Sequence, residues 1–114
     1  MKEKLRILLP TLREKHRYIG FQVISEEPIT YSDLESAIYN TFLDFYGEYQ
    51  FSKISLWIIK NLYNEKNQIL IIRCNNKSVP DVIAGLGLIS RLGDTRVILK
   101  ILNVSGTIKG LNLK

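Results

Sequence analysis

The sequence has one histidine, one cysteine and three prolines in 114 residues. A lone cysteine, Cys74, excludes an internal disulfide and fits a reducing interior. It follows Arg73, which in principle lowers a thiol pKa, but it ends an aliphatic strand and reads as a buried, inert thiol. His16 stands among cations and reads as solvated or phosphate-facing, not as a catalyst. Asp44 and Glu48 can share a helix face, yet the further ligands of a metal cage are missing. There is no glycine-rich phosphate loop. No apolar run reaches the ~18 residues of a bilayer-crossing helix, so no membrane partner is expected. No apolar block followed by small residues marks a secretory signal, and a cytoplasmic location is expected. These absences leave no credible catalytic residues, no metal site and no cofactor held by the chain itself.

Cations are what the sequence has in excess. Lys and Arg number 16 against 11 Asp and Glu, a net charge of +5. Hydrophobic residues make up 46% and charged residues 24%, the range of a single globular domain with one core. A basic balance favours a polyanion, with nucleic acid first and an acidic membrane surface second. Residues 1–17 carry Lys2, Lys4, Arg6, Arg13, Lys15 and Arg17 against Glu3 and Glu14, so six less two, or +4, of the +5 lies in this stretch. Leu5, Ile7, Leu8, Leu9 and Leu12 are interspersed, and Pro10 breaks any long helix. We read a basic N-terminal arm over 1–17, ordered by itself or by a partner.

A domain follows over 18–104, and a tail over 105–114. Residues 18–25 alternate, with Ile19, Phe21 and Val23 on one face, as in a half-buried strand. Ser32 and Glu35 read as a capping box, with Thr30 and Asp33 the alternative register. Leu34, Ala37, Ile38, Phe42 and Phe45 then recur at helical spacing. Gly47 predicts the stop, and Tyr46 to Phe51 an aromatic loop. Further strands are predicted over 53–60, 68–74 and 96–104. A second helix opens at Ser78-Val79-Pro80-Asp81, runs inward through Val82, Ile83 and Leu86, and ends at Gly93. The order β-α-β-β-α-β predicts an α+β, ferredoxin-like and RNA-recognition-like sandwich. Its four-stranded antiparallel sheet carries both helices on one face, with the first and third strands central.

Alternation then assigns the other sheet face. Tyr18, Trp57, Ile59, Ile69, Ile71 and Ile98 lie there, too apolar for a face simply left in water. The chain's own tail, a second copy or a protein partner is expected to cover it, with Trp57 as anchor. Arg73, Arg96 and Lys100 fall at its rim. The third strand, Gln68-Ile-Leu-Ile-Ile-Arg-Cys, lacks the aromatics on which RNA-recognition modules stack bases. RNA contacts are therefore expected from the arm, from Arg73 and Lys100, and from the tail with Lys109. In the tail, Ser105-Gly106-Thr107-Ile108-Lys109 offers amides and a lysine to a phosphate.

Three separated segments carry a resemblance. Pro10-Thr11-Leu12-Arg13 with Arg17-Tyr18-Ile19 and Phe21, then Ile72-Arg73-Cys74, then Val104-Ser105-Gly106-Thr107-Ile108-Lys109 resemble, in order, the archaeal ribonuclease P protein component 2 family. The similarity spans about residues 9–110. The resemblance implies a non-catalytic subunit of the ribonucleoprotein that removes the 5′ leader from precursor tRNA. It implies as partners the ribonuclease P RNA, precursor tRNA, a barrel-like protein subunit and other protein subunits, with self-association a further expectation. Hydrolysis, with its Mg²⁺, would belong to the RNA. Another RNA-binding accessory or ribosomal protein explains charge and fold but not the three segments. An acylphosphatase-like enzyme or regulatory domain would want a phosphate cradle near the first strand, and residues 14–18 supply none.

Overall fold

A computed structural model describes residues 15–64 and 66–111. Strand β1 (His16–Ser25) begins two residues before the expected start of the domain. It buries Ile19, Phe21 and Val23, as its alternation requires, and leaves Ile24 exposed.

Helix α1 (Tyr31–Ile54) is capped by Thr30, whose Oγ1 accepts from the Asp33 backbone N–H at 3.3 Å. Leu34, Ile38 and Phe42, four apart, make its buried stripe. Gly47 does not stop this helix but kinks it, with φ 79° and ψ 167°. Those angles suit glycine alone, and nothing lies within 4 Å of the Cβ it lacks, so the residue serves the backbone rather than the packing. The helix then resumes, so the expected aromatic loop is helical. Phe51 reaches back to Tyr39 and Phe42, with ring centroids 5.8 Å and 6.4 Å away. Lys53 and Ile54 also go to the helix, which shortens the second strand, β2, to Trp57–Ile58.

Strand β3 (Ile69–Asn75) turns Leu70, Ile72 and Cys74 into the core. Helix α2 (Val79–Gly87) has Pro80 in its first turn, where no N–H is missed. Val82 and Leu86 point inward, whereas Ile83 is exposed. The helix ends six residues before Gly93. That glycine (φ 64°) instead turns a tight hairpin between β4 (Arg91–Leu92) and β5 (Thr95–Ser105). Among the described residues the sheet therefore has five strands where four were expected, in the order β2-β3-β1-β5-β4, all pairs antiparallel. A bulge on β5 sets Phe21 opposite Ile101 and Gly20 opposite Asn103, leaving Leu102 as the extra residue.

The buried residues of α1 and α2 join Ile19, Phe21, Val23, Leu70, Ile72, Cys74 and Val97 in one core, so both helices cover the same sheet face. A last single turn, α3 (Ile108–Leu111), returns to the opposite face. Asn103 Nδ2 donates to the Leu111 carbonyl at 3.0 Å, and Asn103 pairs with Gly20, which pairs with Ile71. Leu111 and Ile71 are 1% and 7% exposed, and neither belongs to the helix-side core. The chain's own last turn thus caps the middle of the second face.

Burial pushes the Cys74 thiol from its ordinary 9.0 up to about 11. The folded chain keeps this proton where the unfolded chain loses it. Stability is therefore full below pH 9 and falls as pH rises toward about 11. We expect thermal melts to show this fall, and the fall to shrink in Cys74→Ala. A native-state thiol that alkylates as fast as the unfolded one would contradict the burial.

Candidate nucleic-acid interface

Strand register lines up one row across the open sheet face. Trp57 on β2 pairs with Arg73 on β3, Arg73 with Tyr18 on β1, and Tyr18 with Ser105 on β5. The Arg73 guanidinium lies over the Trp57 ring, 5.9 Å from its centroid, while the indole stays 59% exposed. His16 lies two residues from Tyr18 and so on the same face, paired with Asn75. Among the described residues, Arg73 Nε and His16 Nδ1 are buried polar atoms with no hydrogen-bond partner. Such atoms cost about 1–3 kcal/mol each, so this end of the sheet is polar but incompletely satisfied.

Two more expected cations lie at this end of β1, Arg17 on the other face by alternation. Lys15 is exposed at the start of β1. Arg17 donates from Nη1 to the His16 carbonyl at 2.9 Å, and the same Nη1 is 3.6 Å from where a Cβ on Gly106 would sit. Lys109, on α3, is also exposed. The expected phosphate cradle of residues 105–109 is partly occupied by its own chain. Ser105 Oγ accepts from the Thr107 N–H at 3.3 Å, and Thr107 Oγ1 from the Gly110 N–H at 2.9 Å. Lys2, Lys4, Arg6 and Arg13 lie outside the described residues.

The apolar residues expected at a partner interface do not form one patch. Ile71 is buried, and Ile59 and Ile69 are half-buried. Ile98 is 64% exposed and pairs with Ile24, six residues along β1 from Tyr18, or roughly 20 Å at the usual strand rise. Lys100 pairs with Gln22 between the two ends. At the Ile24–Ile98 end, Arg91 and Arg96 rim an open apolar hollow. The face thus has an aromatic, cationic end and an apolar end.

Charge is divided between the layers. Strands β1, β3 and β5 contain no Asp or Glu, and carry Arg17, Arg73, Arg96 and Lys100. Helix α1 carries Asp33, Glu35, Asp44 and Glu48 against Lys53 alone. This division can be read in the sequence once the strands are assigned, but net charge alone does not reveal it. Beside the acids on α1, Phe45 and Tyr49 are exposed, and the Tyr46 hydroxyl ties α1 to α2 by donating to the Asp81 carbonyl at 2.7 Å. Among the described residues no group of three His, Cys, Asp or Glu side chains is placed to hold a metal ion, and no helix is long and apolar enough to cross a membrane.

By fold and surface the molecule is a small α+β domain with a basic sheet side and an acidic helix side. The chain belongs to the Rpp14/Pop5 family, whose pattern matches residues 17–114. It is 44% identical to ribonuclease P protein component 2 of Pyrococcus furiosus, over 100% of this chain and 93% of that one. It is 36% identical to the protein of the same name from Methanocaldococcus jannaschii, over 100% and 82%. Among solved structures, a chain in yeast ribonuclease MRP shares the fold with a TM-score of 0.64 at 12% identity, over 83% of this chain and 76% of that one.

Proposed function

We infer that this chain is a protein subunit of ribonuclease P, the ribonucleoprotein that removes the 5′ leader from precursor tRNA. The observation that carries this reading is the end-to-end relationship to ribonuclease P protein component 2. The charge division supports it: a sheet without carboxylates suits a phosphate backbone, and the acidic helix layer does not. In this reading the chain binds the catalytic RNA through Lys15, Arg17, Arg73, Lys100, Lys109 and the basic residues Lys2, Lys4, Arg6 and Arg13. The RNA holds the Mg²⁺ and performs the hydrolysis, in the cytoplasm, on precursor tRNA. The core is a ferredoxin-like β-α-β-β-α-β sandwich with the β4 hairpin added at its edge. Protein partners, a barrel-like subunit among them, meet the apolar end at Ile24 and Ile98 and the exposed aromatics of α1.

Reconstitution tests the reading. Ribonuclease P RNA and the other protein subunits, assembled with and without this chain, are assayed for leader removal. Cleavage should rise severalfold when the chain is added. An assembled particle that cleaves equally well without it would overturn the inference.

A further inference from the structure

We propose that Trp57, Arg73 and Tyr18 form a stacking site for an unpaired RNA nucleotide, whose phosphate is held by the neighbouring cations. This goes beyond the absence of aromatics in the third strand, because the site is assembled across strands and invisible along any one of them. It rests on the ribonuclease P reading for its ligand.

Four observations carry it. First, Trp57 is 59% exposed on a two-residue edge strand, where a single strand can reach it from the rim. Second, the Arg73 guanidinium lies over the indole, 5.9 Å from its centroid, so a cation stands beside a ring that is still largely exposed. Third, the charged side chains of the adjoining strands are cations: Arg73 on this face, and Arg17, which by alternation leaves β1 from the other face. His16 Nδ1 and Arg73 Nε are left without partners at the same end. Fourth, among the described residues the apolar side chains assigned to this face do not make one continuous patch. Ile71 is buried, and Ile98 is roughly 20 Å away along the sheet. A specific protein interface needs about 1,000 Å² of total buried surface, more than one indole and one phenol ring supply by themselves. A base needs only a plane, and gains from a cation alongside.

Trp57 is the only tryptophan in the chain, so its emission reports this site alone. The full chain is titrated with single-stranded oligouridylate of about 12 nucleotides, within the usual range for such sites, and with an RNA duplex of equal length. The single strand should quench the emission, and the duplex should quench it much less. Trp57→Ala and Trp57→Leu should each weaken single-strand binding about tenfold, the leucine no better than the alanine because area without a plane does not stack. Trp57→Phe should recover most of the affinity, and Ile98→Asp should leave the quench unchanged. Circular dichroism checks that the variants fold, and the wild-type titration stands whether or not they do.

Absence of quench, or wild-type binding by Trp57→Leu, would overturn the site. So would a Trp57 emission that responds to another protein subunit and not to RNA. Failure here is separable from failure of the subunit reading. A chain that supports leader removal but shows no quench keeps its function and loses this site, and one that quenches without supporting leader removal does the reverse.

Discussion

Gly85→Ala should destabilise the protein by roughly 1–3 kcal/mol, although the same change in an open helix is worth about 1 kcal/mol of added stability. The sign is decided by one ring. A Cβ on Gly85 would stand 2.5 Å from Phe42 Cζ and 2.8 Å and 2.9 Å from its Cε atoms. Phe42 is fully buried and cannot swing away, because Tyr46 and Phe51 flank it at centroid distances of 5.8 Å and 6.4 Å. Overpacking therefore outweighs the gain in helix propensity. Gly87, two residues on, has nothing within 4 Å of its missing Cβ and no left-handed φ. Gly87→Ala should accordingly be neutral or stabilising by a few tenths of a kcal/mol, the helix end giving less than an interior site. Urea melts of both variants check the pair, and Phe42→Leu added to Gly85→Ala should recover part of the loss. Two variants moving in the same direction would show that the α1–α2 contact is not built around this ring.

Leu111→Ala should have a comparably large but more local effect. Truncating a buried leucine commonly costs about 2–5 kcal/mol. Here the side chain hangs on a single turn, held by the Asn103–Leu111 hydrogen bond. A turn that short can leave the sheet without unfolding the rest, so the loss is limited to the free energy of docking it. Amide hydrogen exchange should therefore quicken around Gly20, Ile71 and Asn103 by more than the fall in global stability accounts for. A hydrophobic dye should also bind the uncovered Ile71. Unchanged protection together with an unchanged melt would mean that the last turn is not the cover of that face.

How far the sequence can be read shows in particular elements. The faces of β1, β3 and β5 follow from period-two alternation, and their bounds agree within one or two residues, because Ile19, Phe21, Val23, Leu70, Ile72 and Val97 have only one way to be buried together. Gly47 was less legible. A glycine in that place serves a helix stop or a kink equally well. What decides is whether Phe51 and Ile54, further along, find the core, which is a tertiary fact. The alternation of Ile54, Leu56 and Ile58 supported a strand whose first residues the helix claims. In the sequence Gly93 reads as the end of a helix, because the β4 hairpin pairs only two residues a side, too short to show a pattern. At the site, the cations could be counted from the sequence, but the row joining Trp57, Arg73 and Tyr18 depends on register across three strands. Cover by the tail was one of the expectations for the second face; that Leu111 supplies it depends on Gly20 and Ile71 lying side by side.

The split between a sheet without carboxylates and an acidic α1 also has a kinetic meaning. Among the described residues, cations on the strands and carboxylates on α1 give the domain a dipole. In the field of a polyanion it is turned before it touches, sheet foremost and α1 trailing. Most random protein encounters fail because the wrong patches meet, which holds association near 10⁵–10⁷ M⁻¹s⁻¹. Pre-orientation removes part of that loss, and long-range attraction raises the encounter rate by a further factor of about 10 or more at low salt. The same field turns the carboxylates of α1 away from any polyanion that the sheet approaches.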